Sequence, residues 1–370
     1  MRHVRVITSA TSGVKLGARA VANKPCRASE WDAATQWLIP PQLLLMRVFV
    51  TGAASPLGRA LVTALKRRGD HVIGLVRRRG GEQLLKNLGA VPVMGDVRRS
   101  ESLARQMAGC DAVFHVATFF DFWARDSRTF DSVNVGGTKN AIAAALVARV
   151  PRVVHVSSAL AIGEQKGEVG YEWTRHRGET RSEFERSKLE SERLAMRLRG
   201  KGIEVVVVEP SLVLAPGDMG WVGRTLARAV SGGARFGTDA MMSWIGAEDA
   251  AQAMIRALEA GKNGERYILS AERMTMRQML DRIAQLTGRR PARLWTARAL
   301  NMLSKVTGAV SGPLGTRPLL APDEARFLVD GVKVDGGWAR GELGVKYTPV
   351  ASLLPGVVQS YQRALERFAS

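Results

Sequence analysis

The sequence predicts a doubly wound parallel α/β sheet with a smaller C-terminal lobe, on three observations. Met46 to Arg79 reads as strand, glycine turn, helix and strand, which is one βαβ unit. Short β-branched strands recur downstream, and Ile203 to Val208 is apolar on both faces apart from Glu204, as a central parallel strand is. The chain has 370 residues, 46% hydrophobic and 24% charged, enough for one large core plus a second lobe and neither disordered nor fibrous in composition.

The first βαβ unit organises the rest. Arg47 to Val50 is a β-branched and aromatic run ending at Thr51-Gly52, after which Leu57, Ala60, Leu61, Ala64 and Leu65 recur at helical spacing. Ser55 and Pro56 stand where an N-cap and first helical residue belong, between Gly52 and Gly58. A helix starting there aims free N–H groups and the positive end of its dipole at an anion, the arrangement that holds a dinucleotide pyrophosphate. The plainer alternative is a glycine turn needed only for geometry.

The net charge is +20, but the basic residues are scattered. Residues 1–45 hold six Lys/Arg and two acids, and the remaining excess is spread along the chain rather than on one element. Such a surface attracts phosphate-bearing ligands without marking a nucleic-acid protein, so nucleic acid is not the expected partner. Cys26 and Cys110 lie far apart without metal-ligand spacing, which fits a reducing, cytoplasmic compartment and no metal site. There is no uncharged apolar run of 18 residues, so no transmembrane helix is expected. Residues 1–45 lack strand alternation and stop where the βαβ unit starts. They are a disordered tail left by an upstream start or a targeting extension, with translation from Met1 or Met46 and organelle targeting both open.

Later motifs follow in order. The second strand, His71 to Val76, is followed by Arg77, Arg78 and Arg79; guanidinium groups at this strand end suit a 2′-phosphate, where an acid would suit a free ribose. NADP is therefore expected ahead of NAD. Val91 to Met94 closes on Gly95-Asp96-Val97, and Ala112 to Val116 runs into Ala117. Next come Phe119-Phe120-Asp121-Phe122-Trp123, which by composition suits ordinary core and by resemblance to dihydroflavonol-reductase-like proteins a substrate-side wall, and Asn134-Val135-Gly136-Gly137-Thr138. The fifth strand, Arg152 to Ser157, leads into Ser158 and Gly163.

Together these stretches resemble the extended short-chain dehydrogenases/reductases, of the NAD-dependent epimerase/dehydratase type and dihydroflavonol-reductase-like, over about residues 46 to 368. Thr51-Gly52 and Gly58 match that family's TGxxGxxG turn, with Ser55 at the middle glycine. The resemblance implies a Rossmann sheet in one domain, 46–370, with a substrate lobe mainly at 219–243 and 270–335. It implies a cofactor held by Thr51, Gly52, Ser55, Pro56, Leu57 and Gly58, then by Arg77, Arg78, Asp96, Val97, Ala117, Lys188 and Pro210. It also implies catalytic positions at Asn134, Ser158, Lys188 and residue 184, acting on a hydroxyl or carbonyl of a small molecule.

Position 184 departs from the family. The chemistry there rests on Tyr-x-x-x-Lys, one helical turn apart and so on one face, with the ammonium lowering the phenol's pKa. Here the stretch is Phe184-Glu185-Arg186-Ser187-Lys188, with Phe184 26 residues after Ser158. The helix, lysine and serine remain and the proton donor is gone. Three accounts stand: Tyr171 or Glu172 substitutes, Ser158 polarises the oxygen alone, or the protein binds NADP without redox chemistry as a sensor or scaffold.

In the C-terminal part, Trp244 to Ala251 resembles a helix start returning the chain to the main sheet, and Gly264 to Leu269 the closing strand. Thr275 is the expected N-cap of an amphipathic helix running to Leu286. Residues 297–322 carry apolar residues among Arg298, Lys305 and Arg317, which suits either a pocket cover or peripheral membrane contact. A homodimer is compatible with the resemblance.

Overall fold

A computed structural model describes residues 45–233, 237–312 and 315–369. The extension expected over residues 1–45 lies outside these, apart from Leu45. Ten strands occur among the described residues: β1 (Arg47–Thr51), β2 (His71–Val76), β3 (Val91–Met94), β4 (Ala112–His115), β5 (Arg152–Val156), β6 (Glu204–Pro210), β7 (Leu212–Leu214), β8 (Met241–Gly246), β9 (Arg266–Leu269) and β10 (Glu272–Thr275). The helices in the first half are α1 (Pro56–Arg68), α2 (Arg79–Asn87), α3 (Leu103–Met107), α4 (Arg128–Phe130), α5 (Gly136–Val147) and α6 (Glu183–Leu198). They are followed by α7 (Trp221–Val230), α8 (Ala247–Ala260), α9 (Met276–Thr287), α10 (Ala297–Ser311), α11 (Pro322–Asp330), α12 (Gly337–Leu343) and α13 (Val350–Ala369).

Seven strands form one sheet in the order β3-β2-β1-β4-β5-β6-β9, every pair parallel. The doubly wound architecture expected from the sequence is therefore present. Successive residues on each strand face opposite layers: Val48 and Val50 pack with α1 and α8, and Phe49 packs with α3, α5 and α6. Both faces are covered by helices, which is why the strands are continuously apolar. A Val, Leu or Phe side chain fully buried this way contributes about 1.5–3 kcal/mol.

Strand order reverses between β1 and β4, so their C-terminal ends part and open a crevice. The β1 to α1 turn lies on it. Gly52 takes φ +66°, and a Cβ there would sit 2.7 Å from the Ala117 amide nitrogen. A Cβ on Gly58 would strike the Gly52 carbonyl oxygen, so glycine lets α1 close onto β1. Ser55 caps α1, its Oγ accepting from the Gly58 N–H at 3.0 Å, with Pro56 in the first turn.

The second sheet, β10-β8-β7, pairs β8 parallel to β7 and antiparallel to β10. Around it α7, α9, α10, α11 and α13 enclose a separate apolar cluster that includes Trp221, Trp244, Met279 and Phe327. Thr275 caps α9 in a reciprocal box with Gln278, and the helix ends one residue beyond Leu286. The sequence pattern did not separate β7 and β10, since strands of three and four residues are too short to show a period.

Candidate active site

Above the C-terminal ends of β4, β5 and β6 lies a cavity of about 300 Å³. Ser55, Pro56 and Leu57 of the glycine turn bound one side; Val116, Val156, Ser158 and Pro210 rise from the strand ends; Phe120, Phe184, Leu212 and Val222 form apolar walls. Six residues singled out from the sequence thus share one cleft: Ser55, Pro56, Leu57, Ser158, Phe184 and Pro210. Thr118, Leu160, Met219 and Val222 also line it and were not singled out as site residues, because isolated small and aliphatic residues carry no sequence signal. The aromatic stretch divides: Phe120 faces the cleft, while Phe122 stacks on Phe327 at 4.7 Å in the lobe core.

A chain of hydrogen bonds joins the glycine turn to the helix bearing Phe184 and Lys188. The Ala117 N–H donates to Thr51 Oγ1 at 3.2 Å, and Thr51 Oγ1 lies 2.8 Å from His115 Nδ1. His115 Nε2 lies 3.1 Å from Thr138 Oγ1, which donates to the Asn134 carbonyl at 2.6 Å. Because Thr138 spends its proton on Asn134, it accepts from Nε2–H, so Nδ1 accepts from Thr51. Burial, with Lys188 nearby, pushes the His115 pKa down to about 3, consistent with this neutral tautomer. Asn134 Nδ2 then donates to Ser187 Oγ at 2.9 Å, and Ser187 Oγ donates to the Phe184 carbonyl at 2.9 Å. Asn134 sits in a π-helical turn, Asp131–Val135, a bulge often found at functional sites. It positions the Phe119 backbone and α6 and does not line the cleft.

Lys188 is 1% exposed and makes one hydrogen bond, from Nζ to the Val156 carbonyl at 2.7 Å. Burial pulls its pKa down to about 8, against the opposing pull of Glu192. One turn on, Glu192 accepts from Ser157 Oγ at 2.7 Å and pairs with Arg266 at 3.3 Å. Burial and the neighbouring Glu192 also push the carboxyl of Glu209 well up, against the opposing pull of Arg266.

The expected substitute acids do not reach the cleft. Glu172 Oε1 accepts from the Ile268 N–H at 2.9 Å, and Tyr171 stacks on Trp173 at 5.1 Å; neither lines the cavity. Asp218 does line it, but its carboxylate accepts from the Gly220 and Gly223 N–H groups at 2.7 and 2.9 Å. Ser158 Oγ accepts from the Leu160 N–H at 3.3 Å, leaving its own proton free.

The residues present fit a dinucleotide. The Gly52 and Gly58 cradle has no room for a Cβ, and the capped start of α1 points at the cleft. The buried Lys188 ammonium has two further N–H donors that ribose hydroxyls would satisfy. At the outer edge of the sheet Arg77 and Arg78 are exposed, and Asp96 is held by Arg98, which depresses its pKa. Val97 is buried and accepts from Asn140 Nδ2 through its carbonyl at 2.9 Å. Arg77, Arg78, Asp96 and Val97 lie at the ends of β2 and β3 and do not line the cavity. No cluster of three metal-ligating side chains occurs among the described residues.

The chain is 30% identical over 306 residues to sterol demethylase protein B of Methylococcus capsulatus, covering 81% of this chain and 93% of that protein. It is 33% identical over 234 residues to a 4-hydroxy-2-methyl-3-oxo-4-farnesyl-3,4-dihydroquinoline-1-oxide ketoreductase of Stigmatella aurantiaca, covering 61% and 68%. Among solved structures, that of gox2253 superposes with a TM-score of 0.74 at 26% identity, covering 86% of this chain and 98% of that one. The family model of the NAD dependent epimerase/dehydratase enzymes matches residues 48–270. With its parallel sheet, its glycine turn and a cleft lined by Ser158, the chain belongs to the NAD-dependent epimerase/dehydratase family.

Proposed function

We propose that the protein is an NADP-linked oxidoreductase of the epimerase/dehydratase/reductase kind, acting on a hydroxyl or carbonyl of an apolar small molecule. The observation that carries this is the composition of the cleft: its one charged lining residue, Asp218, is already committed to backbone amides. The α1 start would take the cofactor's own diphosphate, and no cation lines this cavity to pair with a second, substrate-borne one. The names of the two relatives above, one a sterol protein and one a ketoreductase of a farnesyl compound, support the same substrate class.

When bound, the nicotinamide supplies or takes up the hydride. Ser158 directs its free hydroxyl at the substrate oxygen and donates a hydrogen bond there. Lys188 would hold the ribose of the bound cofactor, and the hydrogen-bond chain through Asn134 keeps α6 in register with the glycine turn. Phe120, Phe184 and Leu212 exclude water and orient an apolar body. The preference for NADP rests on Arg77 and Arg78 with no acid at the end of β2. A buried free thiol at Cys110 supports the cytoplasmic compartment.

A second reading, an NADP-binding sensor or scaffold, draws on the benzene ring of Phe184 and the lack of any free acid in the cleft. NADPH oxidation assayed with hydrophobic cyclic ketones and with sugar nucleotides separates the two. Turnover restricted to the hydrophobic ketones supports the enzyme. NADPH binding without turnover of any ketone supports the sensor.

A further inference from the structure

We propose that the face formed by α10 and the segment before it docks on the surface of an anionic lipid bilayer. Residues 282–322 contain seven Lys/Arg and no Asp or Glu, a 41-residue stretch of one sign. Arg317 is paired with Asp121 and Arg282 lies 3.8 Å from Glu272. The other five, Arg289, Arg290, Arg293, Arg298 and Lys305, make no ion pair among the described residues.

The helix itself is amphipathic in an unusual sense. Leu300, Ser304 and Ser311 are its buried side, and Leu300 belongs to the lobe core. On the opposite side Met302, Val306 and Val310 recur at four-residue spacing and are 67%, 58% and 66% exposed. At 100° per residue these three fall on one arc, with Arg298 and Lys305 along its edge. An apolar stripe flanked by unpaired cations is the pattern of a helix lying in the headgroup layer.

The adjoining surface repeats the combination. A cavity of about 420 Å³ is lined by Arg290 and Arg293 together with Leu303, Leu319 and Trp295. Leu294 and Leu319 are each 48% exposed. Cations and apolar side chains thus share one concave surface, which suits acyl chains beneath phosphate headgroups. A nucleic acid would use the cations and leave Met302, Val306 and Val310 without a role. A second copy of this chain carries the same net charge of +20 and presents the same unpaired cations, which oppose self-association here.

The test is co-sedimentation of the full chain with phosphatidylglycerol/phosphatidylcholine vesicles and with pure phosphatidylcholine vesicles. Binding to the anionic vesicles, weakened by salt, is expected. The Arg290→Glu/Arg293→Glu pair should lower the partition coefficient by at least about tenfold, and Val306→Glu should lower it comparably. Melting curves check folding, and Val306→Ser replaces Val306→Glu if the latter melts early. The proposal is overturned by no sedimentation with anionic vesicles at 0.1 M salt, by binding unchanged by both the cation and the apolar substitutions, or by a dimer that Val306→Glu dissolves while vesicles are ignored. RNA binding sensitive to the arginine pair but not to Val306, without vesicle binding, overturns it as well.

Discussion

The rings of Phe120 and Phe184 meet at a centroid separation of 4.6 Å and an interplanar angle of 44°, on the wall of the cleft that also holds Ser158. The resemblance read from the sequence puts the family's phenol at this position, and Phe184 keeps its backbone carbonyl tied to Ser187. On that reading the helix and its lysine remain and the hydroxyl is missing.

Phe184→Tyr therefore restores a donor one turn from Lys188. Positioned acid–base catalysis contributes typically about 10²–10⁴ in rate. NADPH oxidation with a hydrophobic ketone should rise by up to that factor. An unchanged rate, with folding intact, means that the cleft does not present residue 184 to a substrate oxygen.

The proposed preference for NADP is tested at Arg77 and Arg78. Their replacement by alanine should weaken NADP binding by roughly tenfold or more and leave NAD nearly unchanged. Calorimetric titration of both cofactors against the wild type and the double variant checks it; equal loss for the two cofactors would count against a 2′-phosphate contact.

Lys188 imposes a pH signature on stability. Its folded pKa is lowered to about 8 from 10.5, so the unfolded chain binds more protons between those values. Stability from this group rises with pH across that window. In urea unfolding, wild type should gain on Lys188→Met between pH 8 and pH 10.5. A gap between the two proteins that stays flat there would contradict a buried ammonium.

Glu164 gives the opposite sign. Burial raises its pKa from 4.5 to about 7, only partly offset by the Lys333 N–H, Arg177 and Arg181. The folded state binds the extra proton, so stability from Glu164 is full below pH 4.5 and falls as pH rises through about 7. Glu164→Gln, which mimics the protonated form, should gain on wild type by about 2–3 kcal/mol over that range. Denaturant midpoints at pH 4.5 and pH 8 are the measurement, and parallel behaviour of the two proteins would refute it.

Much of the scaffold was legible because it is written locally. The βαβ unit needs a strand run, a glycine at φ +66°, a Ser-Pro helix start and helical spacing, all within Met46 to Val76. β2 and β3 have the ends read from the sequence, and Ser55 and Thr275 cap their helices. The absence of a phenol at residue 184 is likewise a fact of spacing.

What the chain order could not state is which side chains would be spent elsewhere. Tyr171 and Glu172 looked free to supply a proton until folding brought Trp173 against one and the Ile268 amide against the other. The cleft walls are also assembled from distant segments: Thr118, Leu212 and Val222 carry no motif and become a site through packing, and packing decides that Phe120 of the aromatic stretch faces the cleft. The sequence alone determined the sheet, the glycine turn and the missing hydroxyl, because each depends on neighbours within a turn or a strand. The tertiary structure decided the apolar cleft and the idle acids, because a hydrogen-bond partner 96 residues away is invisible to local pattern.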